Sequence, residues 1–490
     1  MKVMLLVPPG GYFAERWTKG TLMPALGILY IAAYLENKGM EVKVVPSEVL
    51  ELKWREIEKE ISNYKPDVVG VTTTTENRFL AFELIRRSKK VYPTARTVIG
   101  GPHASMAAQD ALEHIPELDF VVRGEGEITT YELVKALESK KEDSLSKIPG
   151  ISYRINGKIF INPSRSPLHD LDLLPFPARH LIPYEKYNFY LDVPGKGKLP
   201  AANLMTSRGC PFECNFCATP INWGRIVRSM SPEKVVEEIE YVINRYNAKA
   251  IWFYDDTFNF NPKRVEKICD LIMERDLDIQ WTCELRIDVM TKELLSKMKK
   301  AGLYYVSFGV EAGSERIRKE IIKKNIKLEH LYNIVRWCKE LEILSNCFFI
   351  FSHPTETWQE AKETINIIER LKNDSEISIS ILHIYPGTNL EKKAKEMGKF
   401  PEDFTWTKKK DKRIITLPAA QGYVPLFQDK LSWADISELV FRWSFSKKGI
   451  SYLRKIPVTL TSINSLSALK RYLIMFLVFL KVKILKIYKS

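Results

Sequence analysis

Cys210, Cys214 and Cys217 stand close together in Arg208-Gly209-Cys210-Pro211-Phe212-Glu213-Cys214-Asn215-Phe216-Cys217. Thiolates spaced Cys-x3-Cys-x2-Cys can converge on one side of a tight loop, where they bind zinc or an iron–sulfur cluster. A closed structural zinc site takes four ligands, and no fourth Cys or His lies near in the sequence. The remaining cysteines, Cys269, Cys283, Cys338 and Cys347, fall in helix- or strand-patterned segments and read as small core residues. Three ligands leave one iron of a four-iron cluster open for a substrate or cofactor.

Such a loop needs a rigid strand end beneath it. Residues 202–206 read as that strand, followed by strand patterns at 250–254, 279–285, 304–310, 347–351 and 377–385. Helical periodicity lies between them, at 232–245, 262–275, 292–300, 329–340 and 358–371. The spacing predicts a partial (β/α)6 TIM-type barrel over 200–395, with its site at the carboxyl ends of the strands. Residues 1–145 alternate strand patterns (2–7, 41–45, 67–72, 97–100, 120–122) with helical ones, which predicts an α/β, doubly wound Rossmann-like domain. Ligands of such sheets bind beyond the carboxyl ends of the strands. Residues 146–199 read as a hairpin around Asn156-Gly157 and a proline-rich connector, and 396–490 as a basic C-terminal helical domain.

The chain has 490 residues, 45% hydrophobic and 27% charged, enough for more than one core and unlike a disordered or disulfide-stapled protein. Its net charge is +14, but residues 441–490 hold 11 Lys or Arg and no Asp or Glu, which leaves +3 for the first 440. A nearly neutral body argues against a nucleic-acid partner, while the tail suits anionic phosphates. The apolar run 472–480 is followed by Lys481, Lys483, Lys486 and Lys489. It is far short of the ~20 residues a span needs, and suits a helix lying on an anionic membrane; packing on the barrel is the other reading. No signal-like segment opens at Met1-Lys2-Val3, so the expected setting is cytoplasmic, peripheral at the inner face of the membrane.

The cysteine loop resembles the signature of the radical S-adenosylmethionine superfamily, in which an aromatic residue, here Phe216, precedes the last cysteine. The resemblance implies a [4Fe-4S] cluster on Cys210, Cys214 and Cys217, S-adenosyl-L-methionine chelated to the open iron, and hydrogen abstraction by a 5′-deoxyadenosyl radical. It also implies contacts to S-adenosylmethionine from Asp255 and Asp256 after the second barrel strand, Arg286 after the third, and Glu311 with Ser314 after the fourth. Arg286 would meet the methionine carboxylate and Glu311 the ribose or methionine. A helix cap for Asp256 and a surface ion pair for Arg286 are the alternatives. Ser352-His353-Pro354-Thr355-Glu356-Thr357 departs from the family's Gly-x-Pro-Gly-Glu-Thr by losing both glycines, which weighs against close backbone approach to adenosine. His353 reads as structural.

The first domain resembles the cobalamin-binding domain of the superfamily's class B members. The matching segments are Pro8-Pro9-Gly10-Gly11, residues 72–75, Gly100-Gly101-Pro102-His103 and Arg123-Gly124-Glu125-Gly126-Glu127. This places Pro9, Gly10, Thr72, Thr74, Gly100, Gly101, Gly124 and Glu125 at the cobalamin, with glycines admitting the cofactor and threonines bonding its nucleotide tail. The pattern Asp-x-His-x-x-Gly is absent after the first strand and no histidine precedes His103, so cobalamin without a histidine lower ligand is expected. Loss of the cofactor with retention of the fold is the alternative.

Together the resemblances imply a cobalamin-dependent radical S-adenosylmethionine enzyme that methylates an unactivated carbon of a small molecule or lipid. A donor such as ferredoxin or flavodoxin would supply electrons. Ring formation on a tetrapyrrole or membrane lipid is the second enzyme reading, and an iron–sulfur or cobalamin-binding sensor or tether the non-enzyme one.

Overall fold

The computed structural model describes residues 1–10, 22–140, 142–408 and 423–444, with 411, 413, 414, 416, 473 and 477 as single positions. Strands β1 (Lys2–Val7), β2 (Glu41–Pro46), β3 (Val68–Thr72), β4 (Arg96–Gly100) and β5 (Phe120–Val122) form a parallel sheet in the order β2-β1-β3-β4-β5. Alternate side chains of β1 enter opposite cores. Val3, Leu5 and Val7 pack against α1 (Leu26–Asn37), and Met4 and Leu6 against α2 (Trp54–Tyr64) and α3 (Arg78–Val91). Burial on both faces is why these strands are continuous apolar runs. The short α4 (Pro102–Met106), α5 (Ala108–His114) and α6 (Gly126–Glu138) complete the cover. Strand order reverses between β1 and β3, which opens a crevice beyond their carboxyl ends.

The hairpin β6 (Ile151–Ile155) and β7 (Lys158–Ile161) turns on Asn156 (φ 48°) and Gly157 (φ 78°), the pair of positive angles a type I′ turn requires. It adds two antiparallel strands to β5, so it extends the first sheet instead of bridging to the second.

The second sheet begins with β8 (Tyr190–Val193) antiparallel to β9 (Gly197–Leu204), followed by a small ladder of β10 (Ser207–Arg208) and β11 (Arg228–Ser229). Strands β12 (Ala250–Phe253), β13 (Gln280–Leu285), β14 (Leu303–Glu311), β15 (Leu344–Phe351) and β16 (Glu376–Ile381) then add in parallel, giving the order β16-β15-β14-β13-β12-β9-β8. The six parallel strands form the curled sheet of a partial barrel. The loop between β10 and β11 carries the short α7 (Thr219–Trp223), and the crossover helices are α8 (Pro232–Tyr246), α9 (Pro262–Glu274), α10 (Lys292–Lys300), α11 (Leu328–Glu340) and α12 (Trp358–Leu371). Ser231, Asn261, Thr291 and Thr357 cap four of them through their side-chain oxygens. Trp281, Phe253, Phe308 and Phe349 fill the core with Cys269, Cys283, Cys338 and Cys347, all four of these cysteines buried.

Past β16, α13 (Asn389–Glu396) leads to residues 423–431, which lie beside the barrel: Phe427 N donates to Leu382 O (2.8 Å) and Ile384 N to Pro425 O (2.8 Å). Helix α14 (Trp433–Ser444) follows. Most of the basic tail lies outside the described residues, the run 472–480 included except for the exposed Leu473 and Leu477. Among the described residues no helix is long and apolar enough to cross a membrane.

Candidate functional site

The loop 209–227 leaves β10 and returns through β11. A Cβ on Gly209 (φ +95°) would lie 2.3 Å from the Ile226 carbonyl oxygen, so only glycine lets the two stems close. Cys210, Cys214 and Cys217 all lie half-buried on this loop. Cys217 N donates to Cys214 O (3.0 Å) and Cys210 N to Gly224 O (3.3 Å), while Asn215 N reaches Ile322 O (3.2 Å) in the π-helical turn Ile317–Ile322. Phe216 turns inward against Ile317 and Ile322, its ring 6.3 Å from that of His353. Burial pushes the Cys214 thiol up to about 11 against the pull of Lys324. It raises Cys217 as well, against a hydrogen bond from Thr219. Bound metal deprotonates such thiols outright. Among the described residues no three His, Cys, Asp or Glu side chains converge as on a single ion. Three partly open soft thiols with no carboxylate among them have the donor chemistry of an iron–sulfur cluster.

The other strand ends divide into anchors and open groups. Asp255 is buried and accepts from Thr206 N, Thr206 Oγ1 and Ser207 Oγ, each at 2.6 Å. Its oxygens are filled by the root of the cysteine loop, so it is a loop anchor and not the ligand contact the sequence suggested. Its neighbour Asp256 faces outward and accepts from Thr219 Oγ1 (2.8 Å). Although the residue is exposed, desolvation pushes its carboxyl up to about 6, with the Thr219 bond opposing and the Asp255 charge adding. It does not cap a helix; Asn261 does that for α9. Arg286 is also engaged within the protein: it makes two 2.8 Å bonds to Asp288 and stacks 3.4 Å over the Phe212 ring of the cysteine loop. Glu311 is buried and paired with Lys324 (2.8 Å), across a gap that exists because Gly309 has no side chain. Ser314 is buried and donates to Glu360 (3.2 Å).

After β15, Ser352 (φ 73°) and Thr355 (φ 63°) occupy the two expected glycine positions and keep a left-handed backbone. The conformation survives the loss of glycine because the side chains are held: Ser352 Oγ donates to Phe427 O (2.8 Å), and Thr355 Oγ1 accepts from Arg316 (3.1 Å). Glu356 is fully buried and accepts from the amides of Ser352 (2.7 Å) and His353 (2.9 Å). Burial drives His353 down to about 3, which leaves it a neutral packing residue.

In the first domain, Pro9, Gly10 and Thr72 lie half-buried at the carboxyl ends of β1 and β3, and Gly100 at that of β4. Thr74 is tied to Asn77 in both directions (2.8 and 3.3 Å). Gly101 is also required by backbone packing, since a Cβ there would lie 2.7 Å from Thr73 O. His103 is completely buried, 3.2 Å from Thr75 Oγ1, and pushed down to about 3 by burial and the Arg78 charge. Gly124 (φ +70°) sits against α7, a Cβ falling 3.8 Å from Asn222 O. Glu125 departs from expectation, since its carboxylate is consumed by Arg208, Arg228 and the Leu168 amide. Burial alone would raise it, but the two arginines hold it below the usual range.

Several residues at the junction were not singled out from the sequence. Tyr385 donates to Glu76 (2.9 Å) across the two domains. Tyr254 stands half-exposed at the end of β12. Arg208 and Arg228 pair with acids from a distant segment, and Lys324 with Glu311 13 residues before it; the one local signal for the arginines was the position of Arg208 two residues before Cys210.

The radical SAM superfamily model matches residues 204–368, and the B12 binding domain model residues 18–134. The chain is 35% identical to an uncharacterized methyltransferase of Pyrococcus horikoshii, over 80% of this chain and 82% of that one. It is 29% identical to the anaerobic magnesium-protoporphyrin IX monomethyl ester cyclase of Rubrivivax gelatinosus (74% and 65% covered). With the cytidylyl-2-hydroxyethylphosphonate methyltransferase of Streptomyces wedmorensis it shares 30% identity (72% and 73% covered). Among solved structures, the cobalamin-dependent S-adenosylmethionine radical enzyme OxsB, with aqua-cobalamin and S-adenosylmethionine bound, matches in fold with a TM-score of 0.72 at 19% identity, over 96% of this chain and 70% of that one.

Proposed function

Because the chain belongs to the cobalamin-binding radical S-adenosylmethionine enzymes, we propose that it transfers a methyl group to an unactivated carbon of a small-molecule or lipid substrate. Its cofactors are a [4Fe-4S] cluster, S-adenosyl-L-methionine and cobalamin. When bound they supply a 5′-deoxyadenosyl radical for hydrogen abstraction and a cobalt-held methyl group. The observation that carries the reading is the cysteine loop itself. It sits at the carboxyl end of the barrel, and its helix α7 abuts Gly124 of the first domain.

In this reading Cys210, Cys214 and Cys217 hold the cluster. Asp255 fixes the root of their loop, and Phe212 and Arg286 brace it from the side. Asp256 is the open carboxylate for the amino group of S-adenosylmethionine, and Glu311, oriented by Lys324, receives a ribose or amino group. Ser314 supports this end by holding Glu360. Pro9, Gly10, Thr72, Thr74 and Gly100 would rim the cobalamin crevice, and the complete burial of His103 supports a cobalamin held without a histidine lower ligand. Methyl transfer is favoured over ring formation because the two methyltransferase relatives share more of their length with this chain than the cyclase does. Electrons come from a ferredoxin- or flavodoxin-type donor, and the acid-free tail 441–490 brings the enzyme to an anionic membrane at the cytoplasmic face.

Anaerobic reconstitution tests the reading. The native chain should hold four irons, release 5′-deoxyadenosine, and place label from methyl-labelled S-adenosylmethionine on reduced cobalamin. Cys214→Ala should abolish the first two. A full cluster in that variant overturns the ligand set, and unlabelled cobalamin in the native enzyme overturns methyl transfer.

A further inference from the structure

Four charged side chains meet out of water where the first domain joins the cysteine loop. Glu125 and Glu127 belong to the first domain, at the start of α6; Arg208 and Arg228 stand on β10 and β11, the two stems of loop 209–227. Glu125 Oε1 accepts from Arg208 Nη1 (3.0 Å) and from Arg228 Nη1 (2.7 Å), and Glu127 Oε1 from Arg208 Nη2 (2.7 Å). Side-chain exposure is 2% for Arg208, 3% for Arg228, 10% for Glu125 and 6% for Glu127. The Arg208 guanidinium also lies 5.2 Å from the ring of Tyr30 in the first domain and 5.0 Å from that of Trp223 in the loop.

Burying four charges is a weak way to gain stability, since well-packed apolar groups of the same volume do as well or better. Paired guanidinium–carboxylate bonds instead impose one distance and one orientation. Here both stems of the loop are tied to a single carboxylate of the other domain. A hydrogen-bonded path continues from there: Gly124 N donates to Ser105 Oγ (2.9 Å), and Ser105 Oγ donates to Gly101 O (3.0 Å), at the carboxyl end of β4. This path connects the loop stems to the backbone beside the crevice of the first sheet.

We propose that Glu125 and Glu127 are positioning residues for the iron–sulfur loop: they set the register between that loop and the cobalamin-binding domain, so that filling either cofactor site strengthens the other. This rests on the reading of Cys210, Cys214 and Cys217 as cluster ligands and of the first domain as the cobalamin site.

The test uses full-length protein, cluster-loaded and cluster-stripped, titrated with hydroxocobalamin. The native chain should bind about tenfold tighter with the cluster present. In Glu127→Gln the ratio should fall below about threefold, with the affinity of the stripped form unchanged. Glu132→Gln, which breaks the more exposed pair with Arg165, should keep the native ratio. Independently, the magnetic coupling between cob(II)alamin and the reduced cluster should report one narrow separation in the native chain and a broad distribution in Glu125→Gln/Glu127→Gln. If the double variant does not fold, Glu127→Gln alone decides. A native ratio and a narrow separation in Glu127→Gln overturn the proposal. A native chain that binds both groups with no change in affinity overturns the coupling alone, whereas one that binds neither overturns the underlying assignment of the sites.

Discussion

At the carboxyl ends of β4 and β5 in the first sheet, sharp backbone turns fall on glycine, at Gly101 (φ +95°) and Gly124 (φ +70°). On the barrel side Gly209 (φ +95°) and Gly387 (φ +74°) also turn on glycine, but at the ends of β14 and β15 the comparable turns fall on Glu311 (φ 71°), Ser352 (φ 73°) and Thr355 (φ 63°), residues that left-handed backbone disfavours. Each of these three is held by a bond to another element: Glu311 by Lys324, Ser352 by Phe427 and Thr355 by Arg316. At Gly101 no side chain fits, because the Thr73 backbone lies where it would go. At Gly101 glycine thus marks a turn where space forbids a side chain, whereas at Gly124 only the positive φ calls for it. A strained residue marks a turn where the side chain itself bonds across the fold and stabilises the conformation it strains.

The largest expected effect comes from Gly101→Ala, where a Cβ meets the Thr73 carbonyl oxygen at 2.7 Å on a backbone that only glycine adopts freely. We expect a loss of about 3–4 kcal/mol in denaturant unfolding of the cofactor-free protein. Tolerance of alanine there would break the contrast between the two regions.

The second effect is a pH dependence set by Glu356, which supports the turn between Ser352 and Thr355. Burial pushes its carboxyl from 4.5 up to about 7, despite the two amides that donate to it. The folded state therefore favours the proton. The stabilisation is complete below pH 4.5 and is lost as pH rises from there towards 7, in all about 3 kcal/mol. Glu356→Gln, which stays neutral, should flatten the unfolding free energy across this window. An unchanged slope would show that another group titrates.

The smallest effect is Thr355→Gly. Relief of the left-handed strain opposes the loss of the Arg316 bond and the greater freedom of glycine in the unfolded chain. The net change should stay within about 1 kcal/mol in the same unfolding measurement, against the much larger cost at Gly101. Equal costs at the two positions would remove the distinction.

Much of this molecule is legible from local pattern. Apolar runs with helical segments between them gave both parallel sheets, since strands buried on both faces need continuous apolar side chains. The turn at Asn156-Gly157 was readable because two adjacent positive angles demand such residues. Which sheet the hairpin joins was not, because pairing with β5 is a contact between segments and leaves no local mark. Asp255 and Asp256 show the same limit at the site. Both lie in the turn after β12, where one acid bonds the loop root and its neighbour stays at the open face, and adjacency alone cannot say which.

Glu125 marks the boundary most sharply. Its motif identified the loop, and the cysteine spacing identified the chemistry, because a tight loop brings neighbouring residues together whatever surrounds it. Cys-x3-Cys-x2-Cys is in that sense complete in the sequence. The partners of Glu125 are not: Arg208 and Arg228 lie 83 and 103 residues away and meet it only after two domains have docked. A spacing can encode what the local backbone brings together. Which distant charge shares a buried carboxylate is decided by packing, since only the folded interface excludes the water that would otherwise solvate both.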